Sequence, residues 1–217
     1  MVQLNFDVLL WDAEQECEKL DKTAKPIYHS AYRQLSDNYA IAAKAVSENG
    51  HIEEPDRSHY LDWLAEEYRE QCAALAAMTF ALLWTVVKFY LESLKRLLGN
   101  RYPSKSSPTG KSELDKLINE FHSRFGVRLN ELTHFATVRE VVLARNCTLH
   151  SSNGPSKDYK EQTTNRYVGQ FGELNLTPEL LETLIEELKQ FIRGLGSEMS
   201  RVTKTMMSPN AQGAQNP

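Results

Sequence analysis

The chain has 217 residues, with 25 Lys+Arg against 29 Asp+Glu, a formal net charge of -4, and 41% hydrophobic residues. That length suits one large domain that needs no disulfide or metal to hold it. The hydrophobic content excludes a wholly disordered chain, and the acidic balance excludes a protein that coats nucleic acid through overall charge. Three widely spaced cysteines, Cys17, Cys72 and Cys147, form no CxxC pair, so structural zinc and a disulfide framework are both disfavoured and reduced thiols are expected. The opening segment MVQLNFDVLLWDAEQE lacks a basic stretch and turns acidic at once, unlike a secretory signal, so a cytoplasmic protein is expected.

Helical spacing dominates the chain, and alternating strand patterns are almost absent. A first helix is predicted from about Asn5 to Thr23, with Pro26 marking a break or the first turn of a second. The second carries Ile27, Tyr28, Ala31, Leu35, Tyr39, Ala42 and Val46 at steps that keep them on one side, and Asn49-Gly50 stops it. After a loop over 51–56, Asp56 or Ser58 caps the longest helix, which ends near Gly99-Asn100. That is about 40 residues, or roughly 60 Å. A helix of that length needs partners along it, which predicts an antiparallel bundle or a dimer.

Within it, Gln71 to Val87 is a run of 17 residues without a formal charge. A bilayer span needs about 20 apolar residues, so the run is expected to be a buried core helix and no membrane segment is predicted. Trp63, Trp84, Phe80, Phe89 and Tyr90 along this helix are expected to serve as core or dimer contacts.

Residues 101–111, RYPSKSSPTGK, form a loop. Ser112 opens a short helix closed by Gly126, and another helix runs from Asn130 or Thr133 to His150. A turn over 151–157 leads into residues 158–176, read as irregular with Tyr159, Tyr167, Phe171 and Leu176 as anchors. Thr177-Pro178-Glu179 then places a cap, a first-turn proline and an acid at the positive end of the last helix. The expected architecture is an all-α, up-and-down antiparallel bundle of about five to six helices around one very long central helix. Residues 1–205 form a single helical domain, and residues 206–217 a disordered tail.

The most informative segment is Val138 to Gly154, which holds Arg145-Asn146-Cys147-Thr148-Leu149-His150 at the end of a helix. This R-N-x-x-x-H pattern resembles the R-x4-6-H motif of the HEPN superfamily, and the apolar helix before it and the Asn153-Gly154 turn after it agree. The resemblance covers the helical body in outline and these six residues in particular. It implies a small all-α homodimer acting as a metal-independent endoribonuclease in a toxin–antitoxin, phage-defence or RNA-processing system, with the site where two protomers meet. Carried over, Arg145 and His150 are catalytic and Asn146 is a supporting polar residue. An antitoxin or regulatory protein partner also follows from the resemblance. One subclass carries a tyrosine two residues after the histidine; here that position is Ser152, and Tyr159 stands in another context.

The chemistry is coherent by itself. RNA supplies its own nucleophile, the 2′-hydroxyl. Cleavage then needs a proton carrier such as His150 and a permanent cation with forked donors such as Arg145, and no cofactor or metal. Arg139, Lys157 and Lys160 are candidate RNA-binding cations. Residues five apart on a helix point roughly 140° apart. Hence either the helix ends before His150 or the two residues converge through a partner subunit.

The competing reading makes Arg145 a structural cation paired with Glu131, Glu140 or a first-helix acid, and His150 a helix C-cap. The chain is then a non-catalytic interaction or regulatory module. His51 and His59 near Glu53, Glu54 and Asp56 lack ligand spacing and read as solvated. Cys147 lacks a dedicated base. Splitting the charge shows a net of -8 over residues 1–72 and +4 over 73–217, so the motif lies in the mildly basic part.

Overall fold

The computed structural model describes residues 6–99, 110–150 and 155–207; the side chains of residues 6, 7, 148–150, 206 and 207 lie outside this description. Among the described residues every regular element is helical, apart from one isolated antiparallel bridge between Val168 and Leu174. The helices are α1 (Phe6–Lys19), α2 (Lys25–Glu48), α3 (Asp56–Gly99), α4 (Glu113–Phe125), α5 (Phe135–His150), α6 (Lys157–Gln162) and α7 (Pro178–Met207). They form the all-α bundle with one very long helix that the sequence predicts. Residues 206 and 207, expected in the tail, lie in α7, and residues 208–217 lie outside the described residues. So does most of the 101–111 loop.

Of the two readings at Pro26, the structure shows the first turn of a second helix, α2, and not a break. Leu20–Ala24 form a π-helical turn, with the Lys25 N–H bonded to the Leu20 carbonyl, and α1 and α2 run through it as one rod. Proline has no N–H to give and its ring collides with the carbonyl one turn back. Widening the turn just before Pro26 accommodates both defects without ending the helix.

The core lies among α1, α3, α5 and α7. Phe80, Leu83, Val87, Tyr90, Leu91 and Leu94 of α3 are buried against it. α1 packs along α7 and α5 along α3. Lys189–Asp21 (2.8 Å) and Arg193–Glu14 (2.7 Å) tie the outer edge of the α1–α7 seam. Where α1, α3 and α7 meet, Gly196 leaves no room for a side chain: a Cβ would lie 2.9 Å from Tyr90 Oη and 3.1 Å from Ala13 Cβ.

From His29 to Cys72 no residue is fully buried. This part of α2 and α3 is a two-helix hairpin whose seam is half-buried, with Tyr39 and Tyr68 stacked at 4.8 Å. Its turn, 51–56, contains a cis Glu54–Pro55 bond.

The charge-free run of α3 is only partly the core element expected. Phe80, Trp84 and Tyr90 are buried, but Met78 is 71% exposed, and Trp63 and Phe89 are 57% and 52% exposed. By length and composition this helix is apolar enough to cross a bilayer, and 39% of its most apolar window is buried.

Gly196→Val is expected to destabilise the fold by roughly 1–3 kcal/mol through overpacking against Tyr90 and Ala13. Urea denaturation checks this; unchanged stability would mean that the three helices do not approach so closely.

Candidate functional site

α5 starts after a 3-10 turn (Leu129–Glu131) and a left-handed His134 (φ 60°), later than the start at 130 or 133 read from the sequence. The His134 ring nitrogen Nε2 sits 2.8 Å from Gln190 Oε1 and ties this corner to α7. From there α5 continues unbroken to His150, so the helix does not end before that residue. Val138, Val141, Val142, Ala144 and Cys147 are buried along it. Arg139, Leu143 and Asn146 are half-buried on the opposite strip, and helical geometry puts position 150 on that same strip. The His150 side chain lies outside the described residues, as do Ser152 and the Asn153-Gly154 turn.

Arg145 projects from the middle of the buried arc, between the directions of Val138 and Val141, and is half-buried. Its Nη1 donates a long hydrogen bond of 3.4 Å to Asn146 Oδ1. Glu131 pairs with Arg128 at 2.8 Å, and Glu140 belongs to another network. A carboxylate within electrostatic reach of Arg145 is Glu113, the first residue of α4. It pairs with Lys88 of α3 and takes a hydrogen bond from Trp84. Lys88, most strongly, and then Trp84 and Arg145 hold the Glu113 carboxyl below its usual range. α4 is aimed there by a capping box, in which Ser112 Oγ accepts from the Asp115 N–H and Asp115 accepts from the Ser112 N–H. The box was legible as Ser112 opening a helix; its delivery of Glu113 beside Arg145 was not.

The segment after the motif is more ordered than its sequence suggests. Ser156 caps α6 through its Oγ, which accepts from the Tyr159 N–H. The Ser156 N–H also points at Cys147 Sγ, 3.2 Å away. Cys147 is thus a buried packing residue between α5 and α6. Tyr159, Tyr167, Leu174 and Leu176 are buried; the fourth predicted anchor, Phe171, is 63% exposed and lies under Arg69, 4.3 Å from the guanidinium carbon.

A charged network fixes this segment. Tyr159 Oη donates to Glu140 Oε1 at 2.9 Å, and Thr164 Oγ1 lies 3.3 Å from Glu140 Oε2. Arg166 donates two hydrogen bonds to Glu187 of α7, 2.9 and 2.6 Å long. Its Nε is 3.2 Å from Glu140 Oε2 but out of line for a hydrogen bond, so that contact is one of charge. Thr137 Oγ1 donates to Glu187 as well, at 2.6 Å. Burial first, then the Glu140 charge, pushes the Tyr159 hydroxyl well up, which keeps it a donor. The Arg166 hydrogen bonds, more than any other cause, hold Glu187 below the carboxylate range. Arg166, one of the bases around the motif, is therefore committed inside the protein.

The three candidate RNA-binding cations have these settings. Arg139 is half-buried with its guanidinium 5.5 Å from the Phe135 ring centre. Lys157 and Lys160 are exposed on α6, with Lys157 3.7 Å from Glu161. His51 and His59 are exposed. Among the described residues no three His, Cys, Asp or Glu side chains gather where they could hold a metal ion. No family model, no curated protein and no solved structure matches this chain.

Arg166→Ala leaves Glu140 and Glu187 without their cation and is expected to cost about 3 kcal/mol, read by urea denaturation. Because the folded-state pKa of Glu187 is depressed, its contribution is complete above its unfolded value of about 4.3 and is lost as pH falls through the folded value. The tyrosine near-UV signal of the wild type should therefore hold at pH 5–7 and decay below about pH 4. A flat acid profile would contradict this.

Proposed function

We propose that this chain is a HEPN-type, metal-independent endoribonuclease acting in the cytoplasm as a homodimer, with Arg145 and His150 from two protomers forming one site and Asn146 supporting them. The observation that carries the reading is the setting of the R-N-x-x-x-H segment. α5 runs unbroken through His150, so positions 145 and 150 diverge by roughly 140° on one chain. A pair of groups that must act on one phosphate is then better completed by a second copy, because an isologous contact duplicates each residue.

In this reading Arg145 offers a planar fork of donors to the phosphoryl oxygens and stabilises the charge they gain. His150 takes the 2′-hydroxyl proton or returns one to the leaving 5′-oxygen. Balance requires one proton removed and one supplied, which two symmetry-related histidines satisfy. Glu113, within electrostatic reach of Arg145, offsets part of its charge until phosphate arrives. Arg139, Lys157 and Lys160 contribute a mild attraction for the RNA backbone, which salt should weaken. A regulatory protein partner belongs to the same proposal.

A second reading, a non-catalytic interaction module, is favoured by one feature, the uncovered apolar outer face of α3.

The test is cleavage of single-stranded and structured RNA in EDTA. His150→Ala should lower the rate about 10²- to 10⁴-fold and Arg145→Ala about 10²- to 10³-fold, with the helical circular dichroism unchanged. Cleavage by the wild type that survives His150→Ala removes that residue from the mechanism, and no cleavage by the wild type favours the module.

A further inference from the structure

The outer face of α3 is the largest feature that the proposed site leaves unexplained. One straight row of positions runs along it at a mean step of 3.6 residues, and so stays parallel to the helix axis: Glu67, Gln71, Ala74, Met78, Ala81, Thr85, Phe89, Glu92 and Arg96. The solvent face of an amphipathic helix normally carries charges. Here the stretch from Gln71 to Phe89 carries none on this row, although Gln71, Ala74, Met78, Thr85 and Phe89 are exposed. The core does not account for this run, since its buried partners lie on the opposite side of the helix.

With Ala81 set aside, the other eight positions are spaced alike from either end, and they are complementary about the centre between residues 81 and 82. Placing a two-fold axis beside Ala81 sets Glu67 against Arg96, Gln71 against Glu92, Ala74 against Phe89 and Met78 against Thr85. Opposite charges meet at the ends, an amide meets a carboxylate inside them, and a small residue faces a ring. The axis falls between Ala81 and Leu82, and the small side chain of Ala81 beside it leaves room for the two helices to approach. Among the described residues Glu67 and Arg96 form no ion pair within the chain. The helix dipole does not explain why Glu66, Glu67 and Glu70 precede the run, because they lie well beyond the first turn, where that effect has faded.

We infer that α3 pairs antiparallel with α3 of a second copy through this row, with the two-fold axis beside Ala81. The pairing stands on the row itself; what it means for catalysis rests on the ribonuclease reading. Trp84 and Lys88, which hold Glu113 near Arg145, lie on the flank of α3, about one to two turns from the axis. A two-fold axis perpendicular to an antiparallel helix pair carries each flank to the same side of the pair. Both Arg145 regions thereby open on one face of the dimer, where a single RNA strand can meet them.

The experiment is sedimentation equilibrium of the full chain, with RNA cleavage measured on the same samples. Glu67→Arg and Arg96→Glu each create two like-charge contacts and should raise the dimer dissociation constant roughly tenfold or more. The double variant E67R/R96E should restore it to within about threefold of wild type. Ala81→Arg, on the outer side of the helix, should abolish pairing with helicity intact. A wild type that stays monomeric to about 100 μM overturns the inference, as does a dimer insensitive to all four variants. A monomer that floats with phosphatidylcholine–phosphatidylglycerol vesicles overturns it in favour of a membrane surface. Normal dimers that never cut RNA leave the pairing standing and sink the ribonuclease reading.

Discussion

A helix that is apolar on every side must be covered on every side, and the middle of α3 is such a helix. Its inner face is satisfied by α1, α5 and α7, whose buried leucines and aromatics converge on Phe80, Leu83, Val87 and Leu91. That demand places α5 against α3 and therefore sets the height at which Arg145 emerges. The outer face is met only in part within the chain, with Lys19 over Phe89, while Gln71, Ala74, Met78 and Thr85 stay exposed. The internal architecture and the proposed pairing are thus two consequences of one charge-free run.

The second organising element is the polar cluster of Glu140, Tyr159, Arg166 and Glu187. It joins α5 to α7 through a segment with little regular structure of its own. A buried carboxylate, Glu140, and a half-buried one, Glu187, around one guanidinium form a tight unit only because Tyr159, Thr137 and Thr164 supply further hydrogen bonds. The effect is to hold residues 155–167 against the end of α5, immediately after the motif. Cys147 and Ser156 make a second fastening at the same place.

Much of the fold was legible because helices announce themselves locally. Caps such as Ser112, stops such as Gly126 and the steps of the α7 leucines are short-range signals, and the structure follows them. Pro26 does stand in the first turn of α2, but the π-helical turn that joins α2 to α1 without a break has no sequence signature of its own. Residues 158–176 looked irregular because their order comes from partners far along the chain: Glu140 lies 19 residues from Tyr159, and Glu187 21 from Arg166. The candidate site was legible as a spacing, Arg145 to His150, but not as a setting. Nothing in the sequence announced that Glu113 would stand beside Arg145, that Arg166 would be spent internally, or that Phe171 would face outward. The outer row of α3 was visible as a charge-free run and read only as core, since a sequence does not show how much of a helix its own chain can cover.

The most direct measurement is the distance between two spin labels across the dimer, taken by electron–electron double resonance in a Cys72→Ser background, with Cys17 and Cys147 buried. Labels at Ala81→Cys should lie within roughly 20 Å of each other, given helix axes about 8–10 Å apart. Labels at Glu67→Cys should lie about 44 Å apart along the helix pair. Short distances at both positions would mean a parallel pairing, and no resolved distance at either would mean that α3 does not pair with itself; both results contradict the account.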